Sequence, residues 1–337
     1  MSNRRLHSSV FGCLAGFVAA ACLMSAAQAE PLRFPVKSRV IETFKVGSDE
    51  TRFGPLEFMG GLELSASTDA LGAMSSIAMG ADGSSFLGVM DTGFWFAGRI
   101  ERDADGRPQR ISDFSVQPMF SRDGDVAKAK WMIDAEGLAI RGDRILVSFE
   151  RDHRIDLYPA KSPGETAPVG SIPILIPASE LRGNRGLETV AVAPSGTPLE
   201  GAAVTVSERS LNADGNMLAA VLDGPKKGIF FVKRDPPYDA TDGDFLPDGD
   251  LILLERRFSI AGGVGMRIRR IAGESIIPGA TVDGEVLLDA DFGYQIDNME
   301  GLAVSTDADG KVRLTLVSDD NHSILQRNLM LEFRLVE

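Results

Sequence analysis

Acidic residues recur in this sequence beside pairs of short apolar segments. In each pair a polar residue, most often Glu, stands near the start of the first segment, at Ser76, Glu136, Glu188, Asp244 and Glu300. These positions are separated by 60, 52, 56 and 56 residues. The second segment of each pair ends in a carboxylate, at Asp91, Glu150, Glu208, Glu255 and Asp319. Carboxylate oxygens that converge on one point are the ligands that Ca²⁺ prefers.

The chemistry predicted for these residues is cation binding with catalysis beside it. If the pairs meet around one axis, the predicted metal ligands are Asp91, Glu136, Glu188, Glu208, Glu300 and Asp319. A bound cation can polarise a phosphoryl or carbonyl oxygen, and an arginine can hold an anionic substrate. Cations or further ligands follow several carboxylates, namely Arg151, Arg209, Arg256, Asn321 and His322. We predict catalytic roles for Glu136, Glu300, Arg209 and His322.

A structural role is the alternative for each of these side chains. A Glu before Gly on an inner strand can accept backbone N–H bonds or pair with an arginine of a neighbouring unit. Ser76 and Ser207 are either nucleophiles or inert strand residues, and Trp95 and Trp131 either flank a substrate or pack in the core. The sequence has no Gly-x-Ser-x-Gly elbow and too few histidines for a His-rich zinc site.

The elements that would bring these residues together are short strands. Each unit has a first strand, a turn that is usually of Asp-Gly type, a second strand and further strands, for example at 154–158 and 266–271. A period of 50 to 60 residues with four strands predicts an all-β fold, a single β-propeller. Five repeats are visible, and the length fits five or six four-stranded blades. Only residues 122–134 are predicted as a short helix.

The ring is expected to close through its N-terminal strands. Strands predicted at 39–46 and 56–64 would pair with the last strand at 329–335 and leave no open edge. The first strand of each unit would line the central channel. The polar residue of each first strand and the carboxylate at the end of each second strand would then meet at one mouth of the channel. Because each blade needs its neighbours to bury its faces, residues 30–337 are predicted as one propeller domain.

The N-terminus has the pattern of a secretory signal. Arg4 and Arg5 precede an apolar segment and an Ala-Gln-Ala cleavage site that ends at Ala29, so residues 1–29 are predicted as a signal peptide and the protein as periplasmic or secreted. Both cysteines, Cys13 and Cys22, lie in that segment. Cleavage would remove two arginines and no acid, which shifts the net charge from −13 to −15. This charge argues against nucleic-acid binding.

The ordered set of motifs resembles a known family. It comprises a Ser-Ser strand, a turn and a strand ending in Asp-x-Gly (75–93), Asp-x-Glu-Gly-Leu-Ala (134–139), Ser-Glu-Arg (207–209), and Asn-Met-Glu-Gly-Leu-Ala with Leu-Val-Ser-Asp-Asp-Asn (298–321). Over roughly residues 60–336 this set is similar to the exported bacterial phytase-like proteins, named for an esterase-like activity of phytase. The resemblance implies hydrolysis of carboxylic or phosphate esters. The fourth unit has Asp242-Gly-Asp244 where Glu-Gly is expected, which predicts the loss of one ligand from the ring.

The leading hypothesis is therefore an exported, Ca²⁺-assisted esterase or phosphoesterase that acts at the channel mouth. Two alternatives stay open: a non-catalytic propeller that binds a ligand or a partner, and a calcium-dependent lactonase. The expected substrate is a small ester or phosphorylated molecule. We expect no organic cofactor, no integral membrane association and a monomer.

Overall fold

The computed structural model describes residues 30–126, 133–183, 185–259, 262–307 and 309–336. The signal-peptide prediction and Trp131 lie outside these residues. Within the described ranges the chain forms five small sheets arranged as the blades of a five-bladed β-propeller. The prediction of an all-β propeller is confirmed, and the number of blades is five. The predicted short helix at 122–134 is not seen in its described part, where Phe120 pairs with Val126 in an isolated bridge.

Each blade begins with an inner strand, and later strands pair outward from it. Blade 1 consists of β5 (Met74–Met79), β6 (Ser85–Met90), β7 (Phe94–Arg102), β8 (Pro108–Pro118) and β1 (Leu32–Arg33). Blade 2 consists of β9 (Ala135–Arg141), β10 (Arg144–Phe149), β11 (Arg154–Pro159) and β12 (Gly170–Ile172). Blade 3 consists of β13 (Leu187–Val192), β14 (Ala203–Leu211), β15 (Met217–Val221), β16 (Gly228–Val232) and β20 (Thr281–Val282).

The last two blades complete the ring. Blade 4 consists of β17 (Asp239–Phe245), β18 (Leu251–Ser259), β19 (Gly263–Ile271) and β21 (Glu285–Ala290). Blade 5 consists of β22 (Met299–Thr306), β23 (Val312–Ser318), β24 (Asn328–Leu335), β4 (Leu56–Ser65) and β2 (Lys37–Ile41), with the short β3 (Arg52–Phe53) beside β4. The inner strands β5, β9, β13, β17 and β22 contact one another in that cyclic order.

The N-terminal segment closes the ring as predicted. Strand β4 pairs antiparallel with β24, from Leu64 opposite Asn328 to Leu56 opposite Leu335. Strand β2 adds to β4 and ends at Ile41 rather than at residue 46. The preceding β1 pairs with β8 at the edge of blade 1. Residues from before the first repeat therefore hold blades 1 and 5 together.

The hydrophobic core is divided among the interfaces between blades. One cluster joins blades 4 and 5 around Phe58, Leu254 and Phe333, and another joins blades 5 and 1 around Leu62 and Phe96. Burial of such clusters is the main stabilising contribution. No helix in the described part of the chain is long and apolar enough to cross a membrane.

Candidate functional site

Every inner strand carries a β-bulge near its start. In blade 5, Met299 pairs with Ser318 and Gly301 pairs with Val317, so Glu300 is the extra residue. In the other blades, corresponding shifts in the pairing register of the inner strand bracket Ser75, Glu136, Glu188 and Thr241. A bulge breaks the alternation of side chains and re-aims the extra one. The repeat seen in the sequence is therefore a bulged inner strand.

The glycines after two of the bulged glutamates allow neighbouring inner strands to approach closely. A Cβ at Gly137 would lie 2.3 Å from the carbonyl oxygen of Glu188 in blade 3. A Cβ at Gly301 would lie 3.1 Å from the carbonyl oxygen of Ser75 in blade 1. The first distance is too short for a side chain, and at the second a side chain would be very tightly packed. The Glu-Gly pair thus combines a re-aimed carboxylate with a tight contact between blades.

Four of the five bulged residues line a cavity of about 350 Å³ at the channel mouth. Every residue that lines it is polar or charged: Ser75, Asp91, Asp134, Glu136, Glu150, Arg151, Glu188, Glu208, Arg256, Glu300, Asp319 and Asn321. Carboxyl groups outnumber guanidinium groups by eight to two. Like charges this close disfavour ionisation of one another, so a cation would stabilise the cavity.

Asp134, Glu136 and Glu150 form an acidic triad that could hold a metal ion. One oxygen of each carboxylate lies within 4.8 Å of the others. Asp134 and Glu150 are buried, and Glu136 is partly buried. Nε of Arg151 donates to Oδ2 of Asp134 at 2.6 Å, and the backbone N–H of Gly186 donates to Glu150. The all-oxygen donor set fits a hard cation such as Ca²⁺.

The electrostatics of the cavity also fit a cation. Burial, and then the neighbouring carboxylates, raise the pKa of Glu136 and of Glu188 well above the usual range. Burial raises the pKa of Glu150 and of Glu300 to about 7 and that of Asp319 to about 6. At neutral pH several of these groups therefore retain a proton that a bound cation would displace.

Arg256 supplies the positive charge on the side of blade 4. Its Nη1 donates to Oδ1 of Asn298 at 2.7 Å, and its Nη2 lies 3.2 Å from Oε1 of Glu300 and 3.9 Å from Oε1 of Glu208. Although burial alone lowers the pKa of Arg256, these carboxylates raise it, so the side chain stays charged. Arg256 thereby joins blades 3, 4 and 5 at the cavity wall.

The structure brings all six predicted metal ligands to this cavity, namely Asp91, Glu136, Glu188, Glu208, Glu300 and Asp319. Their role as ligands stays a prediction. Two predicted catalytic residues lie elsewhere. Arg209 pairs with Asp239 at 2.6 Å, and His322 lines a neighbouring groove, where its backbone N–H donates to Asp320.

Blade 4 departs from the predicted ring. Glu255 does not reach the mouth: it is fully buried and pairs with Arg267 and Arg269 inside the blade. Asp244 also lies outside the cavity, because the bulge falls on Thr241, three residues earlier. Its carboxylate instead accepts N–H bonds from Val304 and Phe245.

Two residues of the acidic triad, Asp134 and Glu150, are not among the metal ligands predicted from the sequence. Asp134 begins the Asp-x-Glu-Gly motif, two residues before Glu136, and Glu150 ends the second segment of its unit, so both positions could have marked them as ligands. Other candidates have structural partners: Ser76 donates to Asp242, and Ser207 donates to the carbonyl of Ser210. Trp95 is buried edge-to-face against Tyr158, as expected for packing between blades.

The chain matches a protein family and has a weaker similarity to solved structures. The model of the phytase-like family, described as esterase-like activity of phytase, matches residues 69–322. No curated protein sequence matches the chain. Among solved structures, an endo-arabinase from Bacteroides thetaiotaomicron VPI-5482 is 11% identical in sequence and has a TM-score of 0.47. That alignment covers 77% of this chain and 93% of the endo-arabinase chain. The RRP9 WD40 repeats are 10% identical and have a TM-score of 0.43, and the alignment covers 89% of this chain and 100% of the RRP9 chain.

Proposed function

Because the chain belongs to the phytase-like family, described by its esterase-like activity, we propose that it is an exported, cation-assisted hydrolase of carboxylic or phosphate esters. The reaction would take place in the acidic cavity at the channel mouth. The convergence of Asp134, Glu136 and Glu150 within 4.8 Å carries this proposal, because a bound cation would offset the mutual repulsion of carboxylates held this close together.

The acidic triad and the adjacent Glu188 would hold the cation. Glu188 shares a hydrogen bond with the carboxyl of Glu150 and lines the same cavity. Ca²⁺ accepts six to eight oxygen ligands in flexible geometry, which suits a wall of side-chain carboxylates. Bound there, the cation would polarise an ester or phosphoryl oxygen.

Two side chains on the opposite wall have matching roles. The guanidinium of Arg256 would bind an anionic oxygen of the substrate, since it is fixed in place by Asn298 and Glu300. Glu300, with a pKa of about 7, would take a proton from the attacking water at neutral pH and return it to the leaving alcohol.

The test is turnover of p-nitrophenyl acetate, p-nitrophenyl phosphate and phytate by the purified protein, with Ca²⁺ and with a chelator. We expect turnover of at least one substrate, dependent on Ca²⁺, and a fall of about 10²-fold or more in Glu300→Gln. The matched control is Asp143→Asn, an exposed carboxylate at the opposite end of the hairpin that bears Glu150. This control should keep full activity.

The same assay, with a lactone added to the substrates, separates the alternatives. Turnover of a lactone alone would favour the lactonase hypothesis. If no substrate of any class reacts but Ca²⁺ still raises the melting temperature, the propeller binds its cation without catalysis. Absence of both effects would refute the proposal.

A further inference from the structure

Asn298 bonds to three residues that line the acidic cavity, although it is not itself part of the cavity wall. It is the residue just before β22, and it is buried, with 6% of its surface exposed. Its Oδ1 accepts a hydrogen bond of 2.7 Å from Nη1 of Arg256, and its Nδ2 donates one of 2.8 Å to Oε1 of Glu300. Its backbone carbonyl accepts the N–H of Asp319 at 2.9 Å. The first residue of the Asn-Met-Glu-Gly motif therefore connects wall groups of blades 4 and 5.

The two side-chain bonds of Asn298 require a carboxamide. A guanidinium only donates and an ionised carboxylate only accepts, so a side chain between Arg256 and Glu300 must offer one acceptor and one donor. These two partners also fix which end of the amide carries the oxygen. Asp has nearly the same shape as Asn but no donor when ionised, and Leu has a similar size with neither group. Substitution by either residue therefore separates the hydrogen bonding of this position from its shape.

Arg256 depends on Asn298 for its position. The Nε of Arg256 is buried and has no hydrogen-bond partner in the part of the chain that the structure describes. Its Nη2 lies 3.2 Å from Oε1 of Glu300 and 3.9 Å from Oε1 of Glu208. The 2.7 Å bond to Asn298 is the shortest of these contacts. Without that bond the guanidinium would lose the acceptor that best holds it where an anionic oxygen could bind.

Asn298 also determines which oxygen of Glu300 stays available. Nδ2 of Asn298 and Nη2 of Arg256 both approach Oε1 of Glu300. Among the described residues Oε2 has no hydrogen-bond partner, and Glu300 lines the cavity. Oε2 is therefore the oxygen that can exchange a proton with a water in the cavity, while Oε1 is held by two donors.

From this arrangement we infer that Asn298 is a positioning residue that holds Arg256 for the anionic oxygen of the substrate and leaves Oε2 of Glu300 free for the attacking water. This inference rests on the proposed hydrolase function. Oε2 takes one proton from the water as the water oxygen bonds to the acyl carbon or the phosphorus atom. It returns that proton to the alcohol oxygen as the ester bond breaks. The reaction consumes one water, restores Glu300 and needs no co-reactant.

Binding of inorganic phosphate, measured by titration calorimetry in the presence of Ca²⁺, tests the effect on Arg256. We expect the unmodified protein to bind phosphate and Asn298→Leu to bind it about tenfold more weakly, the effect of losing one hydrogen bond to a charged group. In an Arg256→Gln background the same substitution should have no further effect, because Asn298 acts through Arg256. A general loss of packing would instead weaken binding equally in both backgrounds.

Turnover tests the effect on Glu300, with whichever substrate the protein hydrolyses. Asn298→Asp keeps an acceptor for Arg256 and removes the donor to Glu300, so kcat should fall about tenfold. In a Glu300→Gln background it should fall no further. Because Asp has the shape of Asn, this variant also tests the inference if Asn298→Leu does not fold.

The matched controls are Asn216→Leu and Asn216→Asp. The side chain of Asn216 makes no hydrogen bond to any described residue and is not part of the cavity wall. Both controls should leave phosphate binding and kcat unchanged. The positioning role is refuted if Asn298→Leu binds phosphate as tightly as the unmodified protein, or if Asn298→Asp keeps its full kcat. Effects that add in either double variant would refute it as well.

The two measurements also separate this inference from the proposed function. Turnover by the unmodified protein, with kcat and phosphate binding unaffected in the Asn298 variants, would refute the positioning role alone. Phosphate binding that Asn298→Leu weakens only when Arg256 is present, with no turnover of any substrate, would refute the hydrolase and keep the role of Asn298 toward Arg256.

Discussion

The hydroxyl of Ser76 donates a hydrogen bond of 2.7 Å to Oδ2 of Asp242, joining inner strands of blades 1 and 4. The same Oδ2 accepts the backbone N–H of Leu302 in blade 5, and the Ser76 hydroxyl accepts that of Leu138 in blade 2. Four blades therefore meet at one buried pair. Ser75, the residue before Ser76, lines the cavity. The Ser76–Asp242 pair therefore holds the inner strands together directly behind the cavity.

Removal of the Ser76 hydroxyl should destabilise the fold. Ser76→Ala would leave the buried N–H of Leu138 without its acceptor and remove a donor from Asp242, which costs about 1–3 kcal/mol of unfolding free energy. Urea unfolding measures the change. Ser65→Ala, at an exposed strand end, is the control and should be neutral. A neutral Ser76→Ala would show that the pair contributes nothing.

Binding of Ca²⁺ should stabilise the protein through Glu136. A ligand that binds only the folded state at 100 times its dissociation constant adds about 2.7 kcal/mol. We expect Ca²⁺ to raise the melting temperature of the unmodified protein, and Glu136→Gln to lose most of that increase because a ligand of the acidic triad is gone. Asp143→Asn should respond to Ca²⁺ like the unmodified protein. An equal response from Glu136→Gln would place the cation elsewhere.

Stability without divalent cations should fall as the pH rises through about 6 to 7. Glu150, Glu300 and Asp319 have pKa values of about 7, 7 and 6 in the fold, above their usual values of 4.5, 4.5 and 3.8. The folded state therefore binds protons that the unfolded state has released, and the penalty for ionising these groups is complete above the folded pKa.

Urea unfolding from about pH 5 to pH 8 in chelator checks this pH dependence. Added Ca²⁺ should flatten the slope, because the cation offsets the ionised carboxylates. Glu300→Gln should reduce the slope without Ca²⁺, since one of the three titrating groups is then neutral at every pH. Stability that rises over the same range in chelator would contradict the prediction.

Close packing of inner strands should make Gly137 intolerant of a side chain. Gly137→Ala would place a Cβ 2.3 Å from the carbonyl oxygen of Glu188, forcing the two strands apart at a cost of about 1–3 kcal/mol. Because Glu136 and Glu188 are adjacent to this contact, Ca²⁺ affinity should fall as well. Differential scanning calorimetry and Ca²⁺ titration measure the two effects.

Gly183→Ala is the control for that substitution, since nothing lies within 4 Å of the added Cβ. It should change neither stability nor Ca²⁺ affinity. If Gly137→Ala behaves like Gly183→Ala, the inner strands have room to separate and the Glu-Gly motif has another origin.

Much of this protein was predictable from sequence because its fold is a repeat. The spacing of Glu136, Glu188 and Glu300 predicted a propeller, and alternating strands predicted that Asp91, Glu150, Glu208 and Asp319 return to the same mouth. These inferences need only local rules: strand period, turn chemistry and the order of strands in a blade.

Only the tertiary structure decided where the carboxylates of blade 4 lie and which arginine enters the cavity. The bulge falls on Thr241 rather than near Asp244, and a bulge depends on pairing with the neighbouring strand, which the sequence of one strand does not specify. Glu255 has the same position in its unit as Glu150 but finds Arg267 and Arg269 within its own blade. Arg256 enters the cavity because its partners Glu208 and Glu300 line it, whereas Arg209 pairs with Asp239, which lies outside the cavity.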